Sequence, residues 1–327
     1  MKRNPLDPTS FNHRKEKLST GRTYHFIDEC NGTPSSSTLT LLCLHGFPDL
    51  WYGWRHQIGP WCDQGWRVVV PDMLGYGETD SPLEIEAFST KNTCRDLAAL
   101  LDLLNVQKAV VIGHDWGSAT AWRFGLWHPD RILAMVNLAI PFYPPLPVLV
   151  SVNEMARRYP TLGYQTYFEQ HQSTEEIESK VSHDMRRFFK VGELRKRILE
   201  GGPKSEVPEL WNKQDEAYYM KNFRASGMRG PLNYYRTTEL RFEEEKGKPL
   251  VLPAHLPWML IWGTLDDTCT TKHVANTKKW VPQLEDVRVE NAGHWLMVEN
   301  SEFVTGKIAG FIRAKVVASV AAGQSKL

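Results

Sequence analysis

Apolar residues gather into short runs that stop at Gly, Pro or Asp, the pattern of strands buried on both faces. Six such runs fall at residues 39–46, 66–72, 108–115, 132–141, 257–263 and 284–293. Residues 90–104, 116–128 and 300–317 instead carry apolar side chains at helical spacing, and the second of these continues a strand with no loop between. Buried strands alternating with amphipathic helices predict an α/β fold, a mostly parallel sheet flanked by helices. The alternation lapses after Pro141. From Phe142 to about Pro249 the chain is polar, rich in Tyr and Arg and helix-like, and it is bracketed by PFYPPLP and RFEEEKGK. The simplest organisation has three parts. Residues 1–142 form the first half of a core with an N-terminal extension, 143–249 a helical cap over the sheet's carboxyl edge, and 250–327 the second half of the core.

Charge and composition narrow the partners. The 327 residues carry 39 Lys+Arg against 38 Asp+Glu, a formal net charge of +1. No basic footprint for nucleic acid is therefore expected, and no apolar run reaches the ~18 residues of a membrane span. Cys30, Cys43, Cys62, Cys94 and Cys269 have no CxxC spacing and read as small buried hydrophobes in a reducing compartment. The N-terminal MKRNPLDPTSFNHRKEK lacks the apolar stretch of a secretory signal, so secretion is not expected. Ser325-Lys326-Leu327 reads as a peroxisomal address, with the import receptor as the expected partner and the cytoplasm as the alternative location.

The chemistry is concentrated in VVIGHDWGSATAW, where a buried strand meets Gly113-His114-Asp115-Trp116-Gly117 and a helix begins at once. Small residues two before and two after a central polar residue are what a nucleophile elbow requires. Here that residue is Asp115. An isolated Asp before a helix is more often a cap; the strand and the flanking glycines favour a nucleophile. A carboxylate with an ordinary pKa near 3.9 is already ionised at neutral pH, and it can attack an alkyl carbon to form an ester. The order nucleophile, acid, histidine then points to Asp266, three residues after Gly263, and to His294 in AGHW. Asp267 is the neighbouring alternative to Asp266. His114 reads as a structural hydrogen-bonder. The Phe47 N–H in HGFPD and the Trp116 N–H are the expected oxyanion donors. Trp51, Trp116 and Trp295, close to the motifs, suggest an apolar substrate pocket. GYGET (75–79) is not a dinucleotide loop, because Asp80 stands where its third glycine belongs.

HGFPD, GYGET, GHDWGS and AGHW together resemble the α/β-hydrolase superfamily, and specifically its soluble epoxide hydrolases, over about residues 24–311. The resemblance implies opening of a small hydrophobic epoxide by water to a vicinal diol, through an ester on Asp115, with no metal or organic cofactor. Haloalkane dehalogenases share the Asp nucleophile, so the cap must discriminate. GMRGPLNYYR (227–236) is similar to the family segment that carries one ring-activating tyrosine, which falls on Tyr235. GYQTYFEQ (163–170) is similar to the segment carrying the other, at Tyr164. Tyr234 stands where the family usually has Trp, which leaves Tyr234 as a rival to Tyr235, and Tyr167 rivals Tyr164. Phenols suit an epoxide, whose opening makes an alkoxide that needs a proton; a halide needs none. The remaining alternatives are a haloalkane or haloacid dehalogenase and a non-catalytic ligand receptor on the same fold.

Overall fold

The computed structural model describes residues 3–181 and 212–323. Ser325-Lys326-Leu327 lies outside the described residues. The strands are β1 His13–Lys17, β2 Thr23–Glu29, β3 Thr40–Leu44, β4 Arg67–Pro71, β5 Ala109–His114, β6 Ile132–Leu138, β7 Trp258–Gly263 and β8 Glu285–Val289. They form one sheet in the order β1-β2-β4-β3-β5-β6-β7-β8. Pairing is antiparallel for β1 with β2 and for β2 with β4, and parallel from β4 through to β8. Every residue of β3, β4, β5, β6 and β7 is buried, which is why these strands read as continuous apolar runs.

The six predicted runs are β3 to β8. The antiparallel pair β1 and β2 was not expected from the sequence. β1 is HRKEK with every residue at least partly exposed, so hydrophobic patterning carries no sign of it.

Helices α1 Arg55–Cys62, α2 Thr90–Leu103 and α3 Trp116–Trp127 connect the first strands, and Ser89 caps α2 by accepting the Asn92 amide at 3.2 Å. Between β6 and β7 the described residues hold helices and no strand: α4 Val152–Arg158, α5 Gln165–Phe168, α6 Ser173–Val181, then Lys213–Ser226, Arg229–Asn233 and Thr238–Glu245. Buried polar contacts fasten this helical segment to the sheet side. Tyr219 donates to Asp49 at 2.5 Å, Tyr52 donates to Asp215 at 2.9 Å, and Arg123 of α3 grips Glu245 at 2.6 and 2.9 Å.

The strand order positions the site. β3 lies between β4 and β5, and Leu44 pairs with Gly113. The turn leaving β3 therefore emerges beside the turn leaving β5. β7 and β8 end side by side, with Gly263 against Val289, so the loops after them open on the same carboxyl edge. That edge is where open parallel sheets place their ligands.

Candidate active site

Asp115 joins β5 to α3 at φ 51 and ψ −120, a left-handed-side conformation that costs energy for any residue with a side chain. A Cβ on Gly113 would run into the Gly117 carbonyl, and one on Gly117 into the Leu44 carbonyl, so both neighbours must be glycine for the turn to close against β3. Asp115 stands at the N-cap position of α3, yet its side chain makes no capping bond. Its carboxylate is turned outward instead. Oδ1 accepts the Phe47 N–H at 2.7 Å, and Oδ2 lies 3.4 Å from Nε2 of His294.

His294 follows β8, and its Nδ1 meets Oδ2 of Asp266 at 2.7 Å. Asp266 is only 2% exposed, whereas the side chain of its neighbour Asp267 is exposed to solvent. Burial thus separates the two candidate partners of the histidine. The second oxygen of Asp266 accepts both the Thr268 amide at 2.9 Å and the Thr268 hydroxyl at 2.7 Å. Sequence reading missed Thr268. Its signal was local, an Asp followed two residues later by a Thr, the spacing of a turn closed by the Asp side chain.

These contacts polarise the three groups. Burial alone would raise the Asp115 carboxyl, but its bond and attraction to His294, with the Phe47 amide, hold it below the ordinary value. Asp266 is likewise lowered, burial being outweighed by the His294 charge and bond and by Thr268. Burial would depress the His294 imidazole, yet the Asp266 charge and the bonds to both carboxylates hold it well above its usual range. His114 behaves oppositely. It is buried, its Nε2 donates to the His294 carbonyl at 2.9 Å, and burial pulls its pKa down to about 3. A neutral ring that holds the His294 backbone is the structural role expected of it.

Over this turn lie the two tyrosines from the helical segment. The rings of Tyr164 and Tyr235 are 6.2 Å apart, and Tyr235 packs against Phe47 at 5.3 Å, Trp116 at 5.0 Å and Phe168 at 5.0 Å. Both phenols are raised, by burial first; the Asp115 carboxylate pushes both the same way. Their rivals are engaged elsewhere. Tyr234 donates to the Leu74 carbonyl at 3.1 Å, and Tyr167 donates to Glu176 at 2.7 Å.

The three tryptophans divide. Trp116 is the first residue of α3, where its amide has no acceptor within the helix, and its ring meets Tyr235. Trp295 packs against His114 and His294 at 5.2 and 5.4 Å. Trp51, expected in the pocket, is placed elsewhere. Its ring lies against Phe11, His13 and Tyr52, and its indole N–H donates to Tyr218 at 2.8 Å. The polar indole edge is thus used to join the N-terminal segment to helix Lys213–Ser226. Among the described residues no group of three or more His, Cys, Asp or Glu could hold a metal ion, and no helix is long and apolar enough to cross a membrane.

Comparison with known proteins agrees with this geometry. Residues 40–301 match the family described as the alpha/beta hydrolase fold. The chain is 31% identical to bifunctional epoxide hydrolase 2 of Rattus norvegicus over 95% of its own length and 57% of that protein, so it spans little more than half of that relative. It is 32% identical to epoxide hydrolase 3 of Siraitia grosvenorii, over 83% of this chain and 91% of that one. The crystal structure of epoxide hydrolase VrEH1 from Vigna radiata superposes with a TM-score of 0.79 at 29% identity, covering 94% of this chain and 99% of that one. The chain belongs to the α/β-hydrolase fold family and, within it, to the epoxide hydrolases.

Proposed function

We propose that the protein hydrolyses a small hydrophobic epoxide to a vicinal diol through an ester on Asp115. The observation that carries this reading is the pair of phenols, Tyr164 and Tyr235, gathered over a carboxylate that is itself bonded to an amide and a histidine. Oδ1 is occupied by the Phe47 N–H, which leaves Oδ2 to attack the ring carbon. The carbon–oxygen bond of the epoxide breaks as the ester bond forms. The released alkoxide takes a proton from Tyr164 or Tyr235, a step needed because an alkoxide is a poor leaving group.

Esterification removes the charge of Asp115, one of the causes that keep His294 protonated. The imidazolium then gives its Nε2 proton, through water, to the phenolate left by ring opening, and the neutral ring can take a proton from the attacking water, with Asp266 stabilising the cation. The resulting hydroxide adds to the ester carbonyl carbon, and charge develops on Oδ1 between the Phe47 and Trp116 amides. One such donor is worth about 3 kcal/mol of barrier. Collapse of the intermediate expels the diol oxygen, which takes a proton from His294, and the Asp115 carboxylic acid left behind returns its proton to the imidazole, restoring the starting charges.

Residues 143–249 act in this reading as a cap between core halves 1–142 and 250–327, bringing the tyrosines to the core. No observation favours a dehalogenase, for which two phenols have no task. A non-catalytic receptor would have no use for a polarised Asp–His–Asp set. Ser325-Lys326-Leu327 is read as the contact for the peroxisomal import receptor; loss of import on its removal from a fluorescent fusion of the full chain checks that.

The atom balance supplies the test of the reaction. In a single turnover in 18O-water, the oxygen entering the diol comes from Asp115, and the water oxygen stays on the enzyme. Unlabelled diol with labelled Asp115 is expected. Label appearing directly in the diol during that first turnover would contradict the covalent route.

A further inference from the structure

We infer that Thr268 is a positioning residue for the second half-reaction, holding Asp266 and His294 in the arrangement that activates water. The inference rests on the covalent route above. Both oxygens of Asp266 are committed: Oδ2 to Nδ1 of His294 at 2.7 Å, and Oδ1 to the amide and hydroxyl of Thr268 at 2.9 and 2.7 Å. A carboxylate gripped on both sides cannot rotate about its terminal bond. The imidazole that it orients is therefore fixed in plane.

Thr268 also reaches beyond Asp266. Its Oγ1 lies 3.4 Å from Nδ1 of His294 and 3.3 Å from the carbonyl of Ala139. A hydroxyl has a single proton, and the shortest contact assigns it to Asp266. Its lone pairs are then left toward the Nδ1–H, which is shared between Asp266 and Thr268. The three side chains form a closed ring of hydrogen bonds, an arrangement in which each bond polarises the next. With its proton given to Asp266, the hydroxyl makes no bond to the Ala139 carbonyl; it joins the loops after β7 and β8.

This predicts an effect confined to one chemical step. Ester formation requires Asp115 and the tyrosines, whereas ester hydrolysis requires His294 aimed at water. The test uses the full chain and styrene oxide as the probe, with rapid-quench intact mass to follow the ester on Asp115. In Thr268→Val, which keeps the shape and the amide, ester hydrolysis should slow about tenfold, the value of one bond to a charged group. Ester formation should fall far less, so the ester accumulates. Thr268→Ser, which returns the hydroxyl, should restore hydrolysis.

Equal loss in both steps, unchanged hydrolysis, or a folded Thr268→Ser that stays slow would each overturn the assignment. Failure of the wild-type chain to form any ester would overturn the covalent reading beneath it, an outcome distinct from a Thr268→Val variant that turns its ester over normally.

Discussion

The two halves of the site are built differently. Asp115, Asp266 and His294 sit in short turns at the carboxyl ends of β5, β7 and β8, where strand register fixes backbone position. Tyr164 and Tyr235 come from the helical segment, where each has an aromatic neighbour of the same kind within three residues, Tyr167 and Tyr234. In the core, glycine requirements and strand order single out Asp115, and burial separates Asp266 from its neighbour Asp267. In the helical segment, packing against the core decides which of two equivalent phenols lies toward Asp115. Backbone geometry writes itself into sequence spacing; side-chain packing between segments far apart in the chain does not.

The contrast can be broken or sharpened by substitution. The largest effect is expected at the nucleophile. Asp115→Ala should lower diol formation by more than about 10³-fold, as for a member of a unit that acts together. Retained activity in the folded variant would remove Asp115 from the chemistry. The tyrosines should behave as a redundant pair. Tyr164→Phe or Tyr235→Phe alone should cost about tenfold and the double variant about 10³- to 10⁴-fold, within the range of general acid catalysis. Strictly additive single effects, or full activity in the double variant, would break the pairing.

The pH dependence of stability separates His294 from its partners. Its raised pKa contributes stability that is fully present below the unfolded value near 6.5 and is lost as pH rises through the folded value. The depressed Asp266 contributes the reverse, present above the ordinary value near 3.9 and lost as pH falls through the folded one. Asp266→Asn removes the charge that does most to hold His294 up. Thermal unfolding of that variant should therefore lose less stability on alkalinisation than the wild type. An unaltered alkaline slope would contradict the coupling.

The rivals define the small end of the scale. Tyr234→Phe removes the bond to the Leu74 carbonyl and should cost about 1 kcal/mol of stability. Its turnover should stay within about twofold of wild type, as should that of Asp267→Asn on the surface. A large rate loss in Tyr234→Phe at normal stability would reassign the phenol.

The same contrast accounts for what was legible beforehand. β3 to β7 could be read because burial on both faces makes a strand continuously apolar, whereas β1, charged and exposed, has no such signature. Asp115 was marked by Gly113 and Gly117, whose absence of side chains is a steric necessity. Thr268 was overlooked because an Asp-x-Thr turn is common and acquires meaning only when His294 arrives from another strand. Trp51 was assigned to the pocket by nearness in sequence to HGFPD, but its indole is taken by Tyr218, 167 residues away along the chain.

The central claim is the covalent ester, and its most direct test is intact-mass spectrometry of His294→Gln mixed with epoxides and, separately, with haloalkanes. That variant keeps the nucleophile, the Phe47 amide and the phenols but has no base to activate water. A stable adduct of epoxide mass that peptide mapping assigns to Asp115 is the predicted result. An adduct from haloalkanes alone, or no adduct in a variant shown to be folded, would contradict the account.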